Sequence, residues 1–189
     1  MTMASDLQAL GTLHSTNAAG DEGRKQEGKD LVQMLVFRLA SEEYVIDIMR
    51  VNEIIRPEKV TAVRRAPDYV KGVIELRGTI VPIVDLRKRL ELEPRAAQGE
   101  SYIVIVTVEG VVVGVEVDVV VEVVRVDRSQ IKASPDLTRQ EGEAPFFLGI
   151  CKQDDRLLML LNIKRLVLTR DAVTVEPWLE RARIEKGEP

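Results

Sequence analysis

The sequence predicts an all-β protein made of two copies of one small barrel, and three observations carry that expectation. The first is internal repetition. Gly72-Val-Ile-Glu-Leu-Arg-Gly-Thr-Ile-Val-Pro-Ile-Val-Asp-Leu-Arg-Lys-Arg-Leu90 is echoed by Gly149-Ile-Cys-Lys-Gln-Asp-Asp-Arg-Leu-Leu-Met-Leu-Leu-Asn-Ile-Lys-Arg-Leu166. Each has a glycine, an apolar run, a polar turn (Arg77-Gly78 or Asp154-Asp155), and a second apolar run closed by Asp85 or Asn162. The glycines stand 77 residues apart (149 − 72), as do the closing residues (162 − 85). Upstream, Phe37–Tyr44 matches Val106–Val113 and Val51–Arg56 matches Val120–Arg125 at an offset of 69 (113 − 44). A duplicated unit with an eight-residue insertion (77 − 69) in the second copy's central connection accounts for both offsets. The second observation is composition: 45% hydrophobic residues but only 4% aromatic leaves an aliphatic core, rich in β-branched side chains that suit pleated strands. The third is spacing, since short apolar runs recur between polar turns with little helical periodicity, the pattern of small antiparallel barrels.

Taken in order, residues 1–30 mix Gly, Ser, Thr, Asp, Glu and Lys around isolated leucines and read as a tail. Strands are expected over Gln33–Leu39 and Tyr44–Ile48 about the polar turn Ala40–Glu43, then a helical or irregular turn around Met49–Glu53. Pro57 and Pro67 punctuate the next connection. Val73–Leu76 and Ile80–Val84 form a hairpin across Arg77-Gly78, and Leu86–Leu90 a single helical turn. Glu91–Gly99 links the copies. The second copy runs Tyr102–Val108, Val111–Val117, Val119–Val126, Phe146–Lys152 and Arg156–Leu161, with a long connection over Asp127–Pro145 that carries Ser134-Pro135. The first barrel is thus expected at about 31–92 and the second at about 100–168, with the chain ends free to return to the first barrel. Residues 169–189, where Pro177 precedes Trp178, read as a C-terminal helix or tail. A unit of about 60–70 residues is marginal alone, so the two share apolar surface. Runs as continuous as Val111–Val124 need cover on both faces.

The same sequence excludes much chemistry. Its one histidine, His14, lies in the tail, which removes a histidine general base, a catalytic triad and a multi-histidine metal site. No glycine-rich phosphate loop is present. Adjacent acids such as Asp154-Asp155 read as solvated turn residues rather than an acid–base pair. A net charge of −4 and the lack of stacking aromatics beside Arg64-Arg65 and Arg87-Lys88-Arg89 argue against a nucleic-acid groove, although a small-barrel nucleic-acid-binding protein is the alternative class. There is no apolar run of about 20 residues to cross a bilayer. The single cysteine, Cys151, forms no internal disulfide and reads as a buried thiol, which agrees with a reducing compartment. No metal or cofactor is implied. What stands out instead are charges among aliphatics: Arg77 at its hairpin tip, either a solubilising turn residue or a guanidinium for a partner's carboxylate, and Glu53 between Val51 and Ile54, on what reads as a helix surface.

Lys71-Gly-Val-Ile-Glu-Leu-Arg-Gly-Thr-Ile-Val-Pro-Ile-Val-Asp85 resembles the signature of the CheW family of chemotaxis coupling proteins. Glu43–Ile48, Val51–Arg56, Val113–Asp118 and Arg156–Lys164 agree, so the similarity spans about residues 33–168. The chain departs from the common pattern at Glu75, where many members carry Asn, and at Val119, a site often small. The resemblance implies two five-stranded, Src-homology-3-like barrels around a shared hydrophobic interface. It also implies a non-enzymatic cytoplasmic scaffold, joining chemoreceptor helical tips to the regulatory domain of a CheA-type histidine kinase at membrane-bound arrays. A sibling motility or development pathway is an alternative setting. By motif, Ile48, Val51, Glu53, Gly72 and Arg77 fall where the family contacts receptor or kinase, and homologous domains are expected to meet head to tail in rings.

Overall fold

The structure is a computed structural model that describes residues 30–57, 59–94, 100–133 and 146–167. The expected N-terminal tail up to residue 29, part of the linker, Ser134-Pro135 and the C-terminal segment 169–189 lie outside the described residues.

The first copy supplies β1 (Leu31–Leu39), β2 (Glu42–Asp47), β3 (Val51–Ile55), β4 (Val70–Leu76), β5 (Thr79–Asp85) and helix α1 (Leu86–Arg89). The second supplies β6 (Tyr102–Val108), β7 (Val111–Val117), β8 (Val119–Asp127), β9 (Lys132–Ala133), β10 (Phe147–Gln153), β11 (Arg156–Leu161) and α2 (Ile163–Val167). The strand expectations hold to within a few residues, with two corrections: Lys132–Ala133, inside the connection expected over Asp127–Pro145, forms the short strand β9 against β10, and the turn after β2 is shorter than expected. The segment Met49–Glu53 is not a turn throughout: a 3₁₀ turn occupies only Ile48–Arg50, and Val51 and Glu53 stand on strand β3. Asp47 caps that turn through its side chain, which accepts from Met49 N, and the β-branched run that follows resumes an extended backbone.

Local geometry repeats with the sequence. Ala40, Arg77, Glu109 and Asp154 open the four tight hairpins at φ between 51° and 54°. Asp85 and Asn162 cap α1 and α2 by accepting from Lys88 N and Arg165 N. Each copy has a bulge at the same place, Asn52 in β3 and Val121 in β8. At Gly72 (φ +147°) a Cβ would lie 2.2 Å from the Thr61 carbonyl oxygen, and at Gly149 it would lie 2.6 Å from that of Lys132. In both copies the glycine admits a neighbouring backbone that no side chain would allow.

Sheet membership does not follow the sequential division at about 31–92 and 100–168. One sheet has the order β8-β1-β2-β11-β10-β9, the other β3-β6-β7-β5-β4. Matching strands by repeat shows the same five-strand order in both, with the opening hairpins exchanged. Hairpin β1–β2 completes the barrel of β8–β11, and β6–β7 completes that of β3–β5. Linker length dictates this. Between β7 and β8 stands Asp118 alone, and between β2 and β3 only Ile48–Arg50. Neither connection is long enough to lay the next strand elsewhere in its own sheet, so the chain crosses to the other. Each sheet also contains a parallel pair, β2 with β11 and β5 with β7. Salt bridges from Glu53 on β3 to Arg77 and from Glu122 on β8 to Arg156 join strands far apart in the sheet order, which shows that each sheet curls into a barrel.

The exchanged hairpins are buried on both faces. Met34 and Val36 fill the interior of one barrel with Val45, Cys151 and Leu158, while Ile103 and Ile105 fill the other with Ile74, Val81 and Ile83. The alternate residues Leu35, Phe37, Leu39, Val104, Val106 and Val108 meet in the core shared between the barrels. Leu86, Ile163 and Leu166 bring both helices into it. The expected shared interface is therefore the largest apolar cluster of the fold.

Candidate functional site

Arg77 and Gly78 take φ values of 52° and 79°, so both central residues of the β4–β5 turn have the positive φ of a type I′ hairpin. The Arg77 side chain is 78% exposed, yet its Nη2 donates to Glu53 Oε2 at 2.9 Å. The sequence offered Arg77 a partner's carboxylate; the fold gives it one from its own chain, 24 residues away. An exposed pair of this kind is weak and exchangeable. It holds the guanidinium in place while leaving donors for another carboxylate.

Ile48 and Val51 flank the crossover from β2 to β3, half-buried against the shared core. Between them Met49 is 84% exposed, the most exposed large apolar residue described. Sequence reasoning passed over it, although an unbranched apolar side chain in a three-residue turn beside Asp47 and Arg50 was the available signal. A flexible thioether presented this way suits a variable apolar partner. Ile48, Met49 and Val51 thus gather at the crossover, with Ile48 and Val51 against the shared core, whereas Glu53, beyond the bulge at Asn52, is registered with Ile105 on the other face of β3 and reaches Arg77 at the β4–β5 tip. Gly72 does not join them. It sits toward the other end of β4, in its bulge, where Thr61 and Val73 exchange backbone hydrogen bonds of 2.8 Å; its role there is to let the backbones approach.

The corresponding corner of the other barrel has different chemistry. Asp154 replaces Arg77, and Arg156 binds both Glu122 (2.5 Å) and Glu43 (3.4 Å), whose Oε2 is shut from solvent. In the barrel of β3–β7, Lys71 Nζ bridges both oxygens of the buried Glu116 at 2.8–2.9 Å. The counterparts of that pair, Leu148 and Asp47, instead line an open cavity of about 240 Å³ with Val32, Met34, Arg50 and Arg128. Several arginines are engaged internally: Arg89 stacks on Tyr69 and Phe146, and Arg56 on Tyr102. Burial pushes the Cys151 thiol above its usual pKa, which leaves it a poor nucleophile. Among the described residues no cluster of three or more His, Cys, Asp or Glu could hold a metal, and no helix is long and apolar enough to cross a membrane. The arrangement is equipped for contact, with apolar anchors beside an exchangeable ion pair.

Comparison with known proteins agrees with that chemistry. A family model for the CheW-like domain matches residues 33–170. The chemotaxis protein CheW of Klebsiella aerogenes is 34% identical over 149 residues, covering 76% of this chain and 86% of that protein. CheW of Helicobacter pylori is 27% identical, over 87% of this chain and 98% of its own. Among solved structures, the scaffolding protein TtCheW from Thermoanaerobacter tengcongensis superposes with a TM-score of 0.67 at 33% identity, over 74% of this chain and 94% of that one. The two Src-homology-3-like barrels are thus the fold of a known scaffold, and the chain belongs to the CheW family of non-enzymatic chemotaxis adaptors.

Proposed function

We propose that this protein couples the cytoplasmic tips of chemoreceptors to the regulatory domain of a CheA-type histidine kinase, working in the cytoplasm beneath receptor arrays. The observation that carries the reading is the group of Ile48, Met49 and Val51 at the crossover together with the Glu53–Arg77 pair. An amphipathic helix is recognised by apolar walls with a charged rim; the crossover supplies the apolar side chains, above all the exposed Met49, and the Glu53–Arg77 pair at the edge of β3 supplies the charge. Ile48, Val51 and Glu53 take the partner surface in this reading, and Arg77 turns from Glu53 to an acidic partner residue. Gly72 acts indirectly by holding β4 in place. Two barrels of the same plan give the molecule two similar ends, which supports head-to-tail association with homologous kinase domains into rings. Weak single contacts then suffice, since multiplicity supplies the strength.

Co-sedimentation tests the reading. Receptor cytoplasmic fragments on vesicles should carry purified kinase regulatory domain into the pellet only when this protein is present, and Arg77→Glu should abolish the bridging. A pellet free of kinase at array concentrations would refute it.

A further inference from the structure

The chain passes between the two sheets twice, at Ile48–Arg50 and at Asp118. These crossings are counterparts in the duplication, with Met49 matching Asp118 at the offset of 69 (118 − 49), but they are built in opposite ways. Asp118 is 8% exposed and its carboxylate is saturated. It accepts from Arg87 Nε at 2.9 and 3.0 Å, from Arg87 Nη2 at 2.5 Å, and from Ala40 N at 2.7 Å. Its own N–H donates to Arg38 O at 3.1 Å. Arg87 belongs to α1 and the barrel of β3–β7, whereas Arg38 and Ala40 belong to the β1–β2 hairpin of the other barrel. One side chain therefore ties the tip of each barrel to the point where the chain crosses. At the opposite junction, Met49 points to solvent, and Lys164, the counterpart of Arg87, makes only an exposed ion pair with Glu109.

We infer that the Asp118–Arg87 pair is a positioning clamp that sets the register of one barrel against the other. The interface between the barrels is nearly all Val, Leu and Ile. Burial of such surfaces is strong but non-directional, so it holds the barrels together without fixing how far one sheet is turned on the other. Bidentate, charge-assisted bonds are directional, and among the described residues this is the buried ion pair that spans the two barrels. A buried pair contributes more to specificity than to stability when both partners are replaced by apolar groups. A clamp and a merely stabilising contact therefore predict different results for a double apolar replacement.

The effect on partners rests on the coupling reading above, so the main test uses the protein alone. Spin labels at Thr79→Cys and Leu157→Cys, exposed sites on opposite barrels, report the inter-barrel distance in a Cys151→Ala background. The wild type should give one narrow distribution. Arg87→Met/Asp118→Leu should keep a cooperative melt yet shift or broaden that distribution, and the milder Arg87→Lys should do so to a smaller degree. Lys164→Met, at the opposite junction, should leave it unchanged. Wild-type distributions in both clamp variants would overturn the inference, as would an equal broadening in Lys164→Met. Failure of the double variant to fold leaves Arg87→Lys to decide: an unaltered distance there also overturns it. If the clamp holds, the double variant should bind receptor fragments several-fold more weakly with each barrel intact. Failure of the wild type to bind receptor would count against the coupling reading and leave the distance result standing.

Discussion

In the barrel of β3–β7, Lys71 closes on Glu116 and Arg87 on Asp118; in the barrel of β8–β11 the same four positions carry Leu148, Asp47, Lys164 and Met49. Main-chain features tell the opposite story. The positive-φ turns at Arg77 and Asp154, the glycines at 72 and 149, the bulges at Asn52 and Val121 and the caps at Asp85 and Asn162 are kept in both copies. Backbone geometry is constrained by how strands cross and close, and those constraints act on each barrel alike. Side chains at the tips are under no such constraint. The two barrels thus share one backbone plan and differ in the charges carried at their tips.

Breaking the shared plan should have the largest effect. Gly72→Ala forces a Cβ onto the Thr61 carbonyl at a positive φ, so denaturant titration should show a loss of about 2–4 kcal/mol. Gly149→Ala, with the wider 2.6 Å approach and no positive φ in the 20–160° range, should lose less. Equal losses would mean that the two close approaches are equally tight, contrary to this geometry.

At the crossover from β2 to β3 two neighbours separate packing from exposure. Val51→Asp places a charge at the edge of the shared core and should cost about 1–3 kcal/mol while leaving the protein folded. Met49→Asp should move stability by no more than about 0.5 kcal/mol. Both should weaken receptor binding. If Met49→Asp is the more destabilising of the two, the side chain is packed and the crossover has been misread.

A smaller difference is expected between the two arginines. Arg77→Glu changes a side chain that is 78% exposed and should stay within about 0.5 kcal/mol of the wild type. Arg156→Glu leaves Glu43 Oε2 shut from solvent without its charge partner and should lose about 1 kcal/mol more. Smallest of all is the behaviour of Cys151. Because burial raises its pKa, the thiol stays protonated at neutral pH, and a thiol reagent should label it only as fast as the protein opens. Rapid labelling of the native protein would place Cys151 at the surface.

Much of this architecture could be read from the chain, and what could not has an identifiable cause. Tyr102–Val108, Val111–Val117 and Arg156–Leu161 match their observed strands end to end because apolar runs bounded by polar turns leave little choice. The repeat gave which strands correspond. It could not give which sheet each hairpin joins, since homologous hairpins fit either slot and only the short connections at Asp118 and Ile48–Arg50 decide. Val51–Ile55 was obscured because the turn before it and the charge within it interrupt the alternation expected of a strand. Arg77 was legible as an unusual turn residue, but its contact with Glu53 forms only when the barrel closes. For Met49 the local sequence held only a hint, an apolar residue in a turn between Asp47 and Arg50, because its full exposure is set by the crossover.

The coupling account is tested most directly by reversing charge at the two corresponding hairpin tips and measuring kinase activity on reconstituted receptor arrays. Both turns open on an exposed residue of nearly the same positive φ, Arg77 at 52° and Asp154 at 53°, so neither substitution should disturb the fold. The account predicts that Arg77→Glu abolishes receptor-dependent activation, whereas Asp154→Arg retains it. Full activation by Arg77→Glu, or equal loss in both variants, would contradict the claim that the first barrel's tip carries the coupling contact.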